Sequence, residues 1–170
     1  MTMSERCDEC NFDWNTSLLE GVRIIDQLSG NARTLIDGMG EAAYRRPEPA
    51  VWSANEYVWH LADAFRMGSE WLHDIRIREH PTHYAVDNDA LAAVRHYQNL
   101  PIDLGIWSLE QSCRLFIDEA VRVDPDRTCH YHDWQDVTAA QVVSFLIHEA
   151  VHHLFDLGRL GALREARYAN

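Results

Sequence analysis

Ser53-Ala54-Asn55-Glu56 and Thr138-Ala139-Ala140-Gln141 are both capping boxes, and each opens a long run with apolar residues at helical spacing. In such a box the Ser or Thr side chain satisfies an orphan N–H, and the Glu or Gln three residues on reaches back. Two helix starts written this plainly fix the framework that the rest of the chain must pack against. After Ser53, Val58, Leu61, Phe65 and Leu72 form one stripe, with Tyr57, Ala64, Met67 and Trp71 beside it. A helix apolar over so wide an arc is flanked on two sides, as in a bundle. This helix should run from Ser53 to about Arg78. The later one should run from Thr138 to about Leu157, with Gly158 as its stop.

Two further helices complete the pattern. From Asn15 to Tyr44, Leu18, Val22, Ile25, Leu28, Ala32, Leu35 and Met39 recur three or four residues apart. Ile102, Ile106, Leu109, Cys113, Phe116, Ala120 and Val123 do the same after Pro101. A short helix is predicted over 89–97, and a polar aromatic loop, with room for a short hairpin, over 128–136. With no convincing set of strands, the fold class expected is all-α, a four-helix bundle. A chain of 170 residues is one domain's worth. The expected division is an N-terminal extension over 1–14, the bundle over 15–160 and a tail over 161–170.

Charge and composition remove several functions. There are 27 acidic residues against 15 basic ones, a net charge of −12. That argues against nucleic acid and against a polybasic membrane surface. No apolar run is long enough for a membrane helix, and Met1 to Cys10 is too polar for a secretory signal, so a cytoplasmic protein is expected. All 15 basic residues are Arg. Without Lys, Schiff-base, pyridoxal-phosphate and P-loop chemistries lack their central residue.

The ten His residues carry the chemistry instead. His148-Glu149-Ala150-Val151-His152-His153 lies on the last helix. His148 and His152 are four apart and share a face, a spacing that lets two imidazoles converge on one ion. His60, on the second helix, is the natural third ligand. An open site of three imidazoles suits Zn²⁺, Ni²⁺ or Fe²⁺. His-Glu-Ala-Val-His also matches the HExxH string, in which Glu149 would be a general base. A protease cleft, however, has little room beside so short a four-helix core. Glu149 and Asp63 are the candidate catalytic carboxylates. Against the metal reading, a lone His on an apolar face is commonly a core residue.

Trp52-Ser53-Ala54-Asn55-Glu56-Tyr57-Val58-Trp59-His60-Leu61-Ala62-Asp63 resembles the start of helix two in the DinB/YfiT-like superfamily. His148 to Asp156 resembles that family's last-helix motif, two His residues separated by three others. The resemblance spans Asn15 to Leu157. It implies an up-down-down-up bundle, often dimeric, with a divalent metal held by His60, His148 and His152, and with His153 turned away. It also implies a small-molecule substrate. The expected activity is transfer of a low-molecular-weight thiol, of the mycothiol type, to a small electrophile. Metal-dependent hydrolysis or isomerisation, and a non-catalytic binding bundle, are the alternatives.

Cys7-Asp8-Glu9-Cys10 is half of a structural zinc site. Its other half is expected from Cys129 with His130 or His132. The alternative is a tail with two ordinary thiols. Cys113, on a core stripe, reads as a buried structural thiol.

Overall fold

The computed structural model describes residues 5–131 and 135–168. Its framework is α1 (Leu18–Ile36), α2 (Ala54–Ile77), α4 (Ile102–Ala120) and α5 (Ala139–Tyr168), with a short α3 (Asn88–Val94) between α2 and α4. Both capping boxes form. Glu56 N–H donates to Ser53 Oγ at 3.3 Å, and Ser53 N–H donates to Glu56 Oε2 at 2.9 Å. Gln141 N–H donates to Thr138 Oγ1 at 3.1 Å, and Thr138 N–H to Gln141 Oε1 at 2.8 Å.

Close contacts fix the directions of the four long helices. Gly21 near the start of α1 meets Ile147, and Gly161 near the end of α5 faces Met39 just beyond α1, so α1 and α5 run parallel. Gly105 sits on Val58 and Trp59, and Gly68 on Phe116, so α2 and α4 are parallel too. Gly68 also touches Leu146 while His60 meets Glu149, which sets α2 antiparallel to α5. The order is therefore up-down-down-up. Parallel α2 and α4 need a long crossover, and residues 78–101 supply it.

Tyr97 anchors that crossover. Its fully buried ring donates its hydroxyl to Asp63 of α2, while Asn55 Nδ2 donates to Tyr97 O at 2.6 Å and Leu100 O at 3.0 Å.

Two boundaries differ from the sequence reading. α1 stops at Ile36, because Gly38 and Gly40 take φ of 75° and 52° and break the helical ladder; a 3-10 turn, Gly40–Tyr44, follows. α5 passes through Gly158 to Tyr168. A mid-helix Gly costs about 1 kcal/mol, and burial of Leu157 with Leu160 against the core outweighs it. The polar stretch over 128–136, read as a loop with room for a short hairpin, contains antiparallel β2 (Thr128–Tyr131) and β3 (Gln135–Thr138). β1 (Thr82–His83) joins β2 in parallel, pairing Thr82 with His130. This small sheet sits on Trp71 of α2, whose ring lies 5.7 Å from His83 and 5.6 Å from Tyr131.

From residue 5 on, the segment before α1 packs on the bundle as well. Cys7 N–H donates to Phe12 O and Asn11 N–H to Cys7 O, both at 2.9 Å, with Asn11 at φ 60°. The resulting tight turn buries Phe12 against the bundle.

Candidate metal centres and cleft

Successive residues on an α-helix are rotated by about 100°. The motif on α5 therefore presents two i,i+4 pairs on adjoining faces, His148 with His152 and Glu149 with His153. α2 supplies His60 to the second face, and the N-terminal turn supplies Cys7 and Cys10 to the first. Among the described residues two groups of ligand atoms result, each with all its atoms within 4.8 Å of one another. One is His60, Glu149 and His153; the other is Cys7, Cys10, His148 and His152.

In the first group His60 is buried, and Glu149 and His153 are half-buried. His60 Nε2 lies 3.3 Å from Glu149 Oε2, and His153 Nε2 lies 3.4 Å from the same oxygen. His153 Nδ1 is 3.0 Å from Asp156 Oδ2, a contact that fixes the ring and leaves Nε2 facing Glu149. Trp52 packs on the His60 ring at 5.0 Å, and Tyr57 on the His153 ring at 5.1 Å. Two ligand atoms at about 2.0–2.1 Å from a tetrahedral ion stand about 3.3–3.4 Å apart. The spacing on Glu149 thus fits one divalent ion.

The electrostatics follow from burial and pairing. Burial alone would raise the Glu149 carboxyl, but His153 and His60 outweigh it and hold it far below the usual range. Burial opposes protonation of His153, yet Asp156 and Glu149 carry it up to about 9. For His60, burial dominates and the imidazole is pushed down.

In the second group Cys7 Sγ stands 3.8 Å from His152 Nδ1. His152 Nε2 faces Glu9 Oε2 at 3.3 Å. The rings of Trp14 and Phe12 lie 4.7 and 5.5 Å from His148. The Cys7 thiol is lowered to about 6, first by the backbone N–H of Cys10 and then by the neighbouring His148 imidazole. Cys10 is raised by burial.

The expected trio is therefore divided: His148 and His152 come together, and His60 sits in the other group. His153, expected to turn away from the ligands, lies edge-on to His60 at 4.9 Å and to His152 at 5.6 Å. Cys129 is buried in β2 and belongs to neither group. His130 contacts Asp136 at 3.2 Å, and His132 lies outside the described residues. Asp63 is held by the Tyr97 hydroxyl and by Arg95 Nε at 3.1 Å. Glu56 is occupied by the cap and by Arg46, whose Nη2 approaches to 2.6 Å. The sequence signal for His153 was present, since Glu149 and His153 repeat the ligand spacing one residue later.

A cleft of about 510 Å³ adjoins the second group, with Trp14, Trp71, Tyr131, Phe145 and His148 in its wall. A smaller recess of about 90 Å³ reaches His60 and Glu149 and shares Trp71, Tyr131 and Phe145 with it. The two are thus contiguous along an aromatic wall.

Fold and side chains together define an all-α bundle with residues able to hold a metal ion on two of its helices. A family model described as the DinB superfamily matches residues 24–155, and the chain belongs to that superfamily. Among solved structures it is similar to YfiT from Bacillus subtilis, with a TM-score of 0.80 at 11% identity over 97% of this chain and 94% of that one. YfiT is described as a probable metal-dependent hydrolase with an unusual four-helix bundle topology. At that identity the likeness concerns the fold. No curated protein matches the sequence. No helix among the described residues is long and apolar enough to cross a membrane.

Proposed function

We propose that the protein is a metal-dependent enzyme that joins a small nucleophile, a low-molecular-weight thiol of the mycothiol type, to a small apolar electrophile. The observation that carries this reading is the donor trio His60 Nε2, Glu149 Oε2 and His153 Nε2, spaced for one ion beside an aromatic cleft. Two imidazoles and one carboxylate suit Zn²⁺ or Ni²⁺ and leave at least one position open. A bound ion would supply Lewis acidity, favouring the anionic form of a thiol or water at neutral pH.

The protein's own groups set the rest. Glu149 brings a negative charge that offsets the ion in a buried place. Asp156 orients His153 and raises its basicity as a donor. Trp71, Tyr131 and Phe145 offer apolar, planar surface to the electrophile and keep bulk water from that side. Asp63, locked by Tyr97 and Arg95, positions the crossover and takes no part in the reaction. Hydrolysis is the second reading, favoured by the fold shared with YfiT.

The test is metal content and turnover in His60→Ala, Glu149→Gln and His153→Ala. Each should lose one metal per chain and all conjugation of thiol to electrophilic aromatics. Full metal retention in His153→Ala would overturn the assignment. Ester cleavage without any thiol conjugation would select the second reading.

A further inference from the structure

Four side chains from two distant parts of the chain meet in the second group, and they are not needed for the reaction proposed above. Cys7 and Cys10 lie on a turn closed by two backbone hydrogen bonds and by left-handed Asn11. His148 and His152 lie one helical turn apart on α5. The Cys7 Sγ to His152 Nδ1 distance of 3.8 Å compares with about 3.6 Å between a sulfur and a nitrogen on one tetrahedral zinc. His148 adds an independent sign. Both its ring nitrogens are shut off from solvent and neither has a hydrogen-bond partner. Buried polar atoms are almost always paired, and an ion between His148 and the two sulfurs would supply the partner one nitrogen lacks. His152 is oriented as a ligand is, with Nε2 towards Glu9 Oε2 at 3.3 Å and Asp156 Oδ2 at 3.9 Å, leaving Nδ1 for the sulfurs.

We propose that Cys7, Cys10, His148 and His152 form a closed zinc site of two thiolates and two imidazoles that staples the N-terminal turn to α5 and holds one wall of the cleft in place. That donor set selects zinc and fills its four positions, so the site is structural. Its consequence for the cleft follows from Trp14. That residue lies four beyond Cys10, stacks on His148 and lines the cavity. Release of the turn would withdraw Trp14 and open the cleft on that side.

Elemental analysis and cobalt substitution of the full-length, untagged protein test this. With Zn²⁺, two ions per chain are expected, falling to one in Cys7→Ser/Cys10→Ser. Glu149→Gln should lose the other ion and keep this one. With Co²⁺, wild type and Glu149→Gln should show thiolate-to-cobalt charge-transfer absorption, and the double Cys variant should not. Two ions retained in the double Cys variant would overturn the proposal. So would cobalt-loaded wild type without thiolate charge transfer, a result that needs no variant to fold. Loss of one ion in Glu149→Gln with the thiolate signal intact would support both sites. A thiolate signal without that loss would leave this site standing and remove the other.

Discussion

Glu56 stands one turn before His60, and its replacement separates a structural role from a metal-binding one. Its carboxylate accepts hydrogen bonds from Ser53 N–H at 2.9 Å, from Ser53 Oγ at 2.8 Å and from Arg46 Nη2 at 2.6 Å. Glu56→Gln keeps a capping-box side chain but removes the charge that Arg46 faces. A hydrogen bond to a charged group contributes about 1.5–3 kcal/mol and a neutral one about 0.5–1.5, so the difference is about 1–2 kcal/mol. The Arg46 side chain is 32% exposed, so solvent screening favours the lower end. Glu56→Ala also loses half of the capping box and leaves the buried Ser53 N–H unpaired, for a total of about 3 kcal/mol. In a chain of this length each kcal/mol lowers Tm by about 2–4 °C.

The pH dependence has a definite sign. Burial alone would raise the Glu56 carboxyl, but Arg46 and Ser53 outweigh it and the folded value lies below the ordinary one. Its contribution is therefore complete above the unfolded value, about 4.3, and is lost as pH falls through the folded value. Urea denaturation at neutral pH and in acid should show the gap between wild type and Glu56→Gln closing in acid. Metal content should not change, because Glu56 does not reach His60. Equal stability of wild type and Glu56→Gln at neutral pH, or loss of metal in Glu56→Gln, would refute this account.

Two further outcomes are expected. Tyr97→Phe removes the hydroxyl that donates to buried Asp63 and should cost about 1–3 kcal/mol in urea denaturation, with metal content unchanged. Asp156→Asn weakens the acceptor at His153 Nδ1, and chelator competition should show metal held about 10–100-fold less tightly at the His60 centre.

The bundle was legible because its signals are local. Capping boxes and apolar stripes specify helices without reference to the rest of the chain, and both boxes form as read. The failed boundaries are those where tertiary packing outvoted a local breaker, as at Gly158, or where two glycines took positive φ after Ile36. The hairpin before α5 was weak in sequence because its strands have four residues each and lean on Trp71, a partner far back along the chain. Ligand types were visible as well: His60, His148, His152, Cys7 and Cys10 all sit in one of the two groups. Their partition was not, because it depends on which face of α5 points at α2 and which at the N-terminal turn.

That partition follows from helix geometry once α2 is in place. Antiparallel packing brings His60 against the stripe of α5 that contains Leu146, Glu149 and His153, since Gly68, two turns along α2, touches Leu146. His148 and His152 are then rotated about 100° away and cannot also face α2. Left alone, they would sit at the edge of the bundle beside water. Phe12 and Trp14 cover His148 instead, and the Cys7–Cys10 turn delivers two sulfurs beside both imidazoles. Asp156, at the end of the motif, approaches His153 at 3.0 Å and His152 at 3.9 Å and is the one carboxylate among the described residues that touches a ligand of each group. A change there should be felt at both groups, whereas Glu9, which meets only His152, should affect only the cysteine-containing one. Comparing Asp156→Asn with Glu9→Gln by chelator competition therefore tests whether the two groups are independent, and equal effects of both variants on both ions would contradict the geometry.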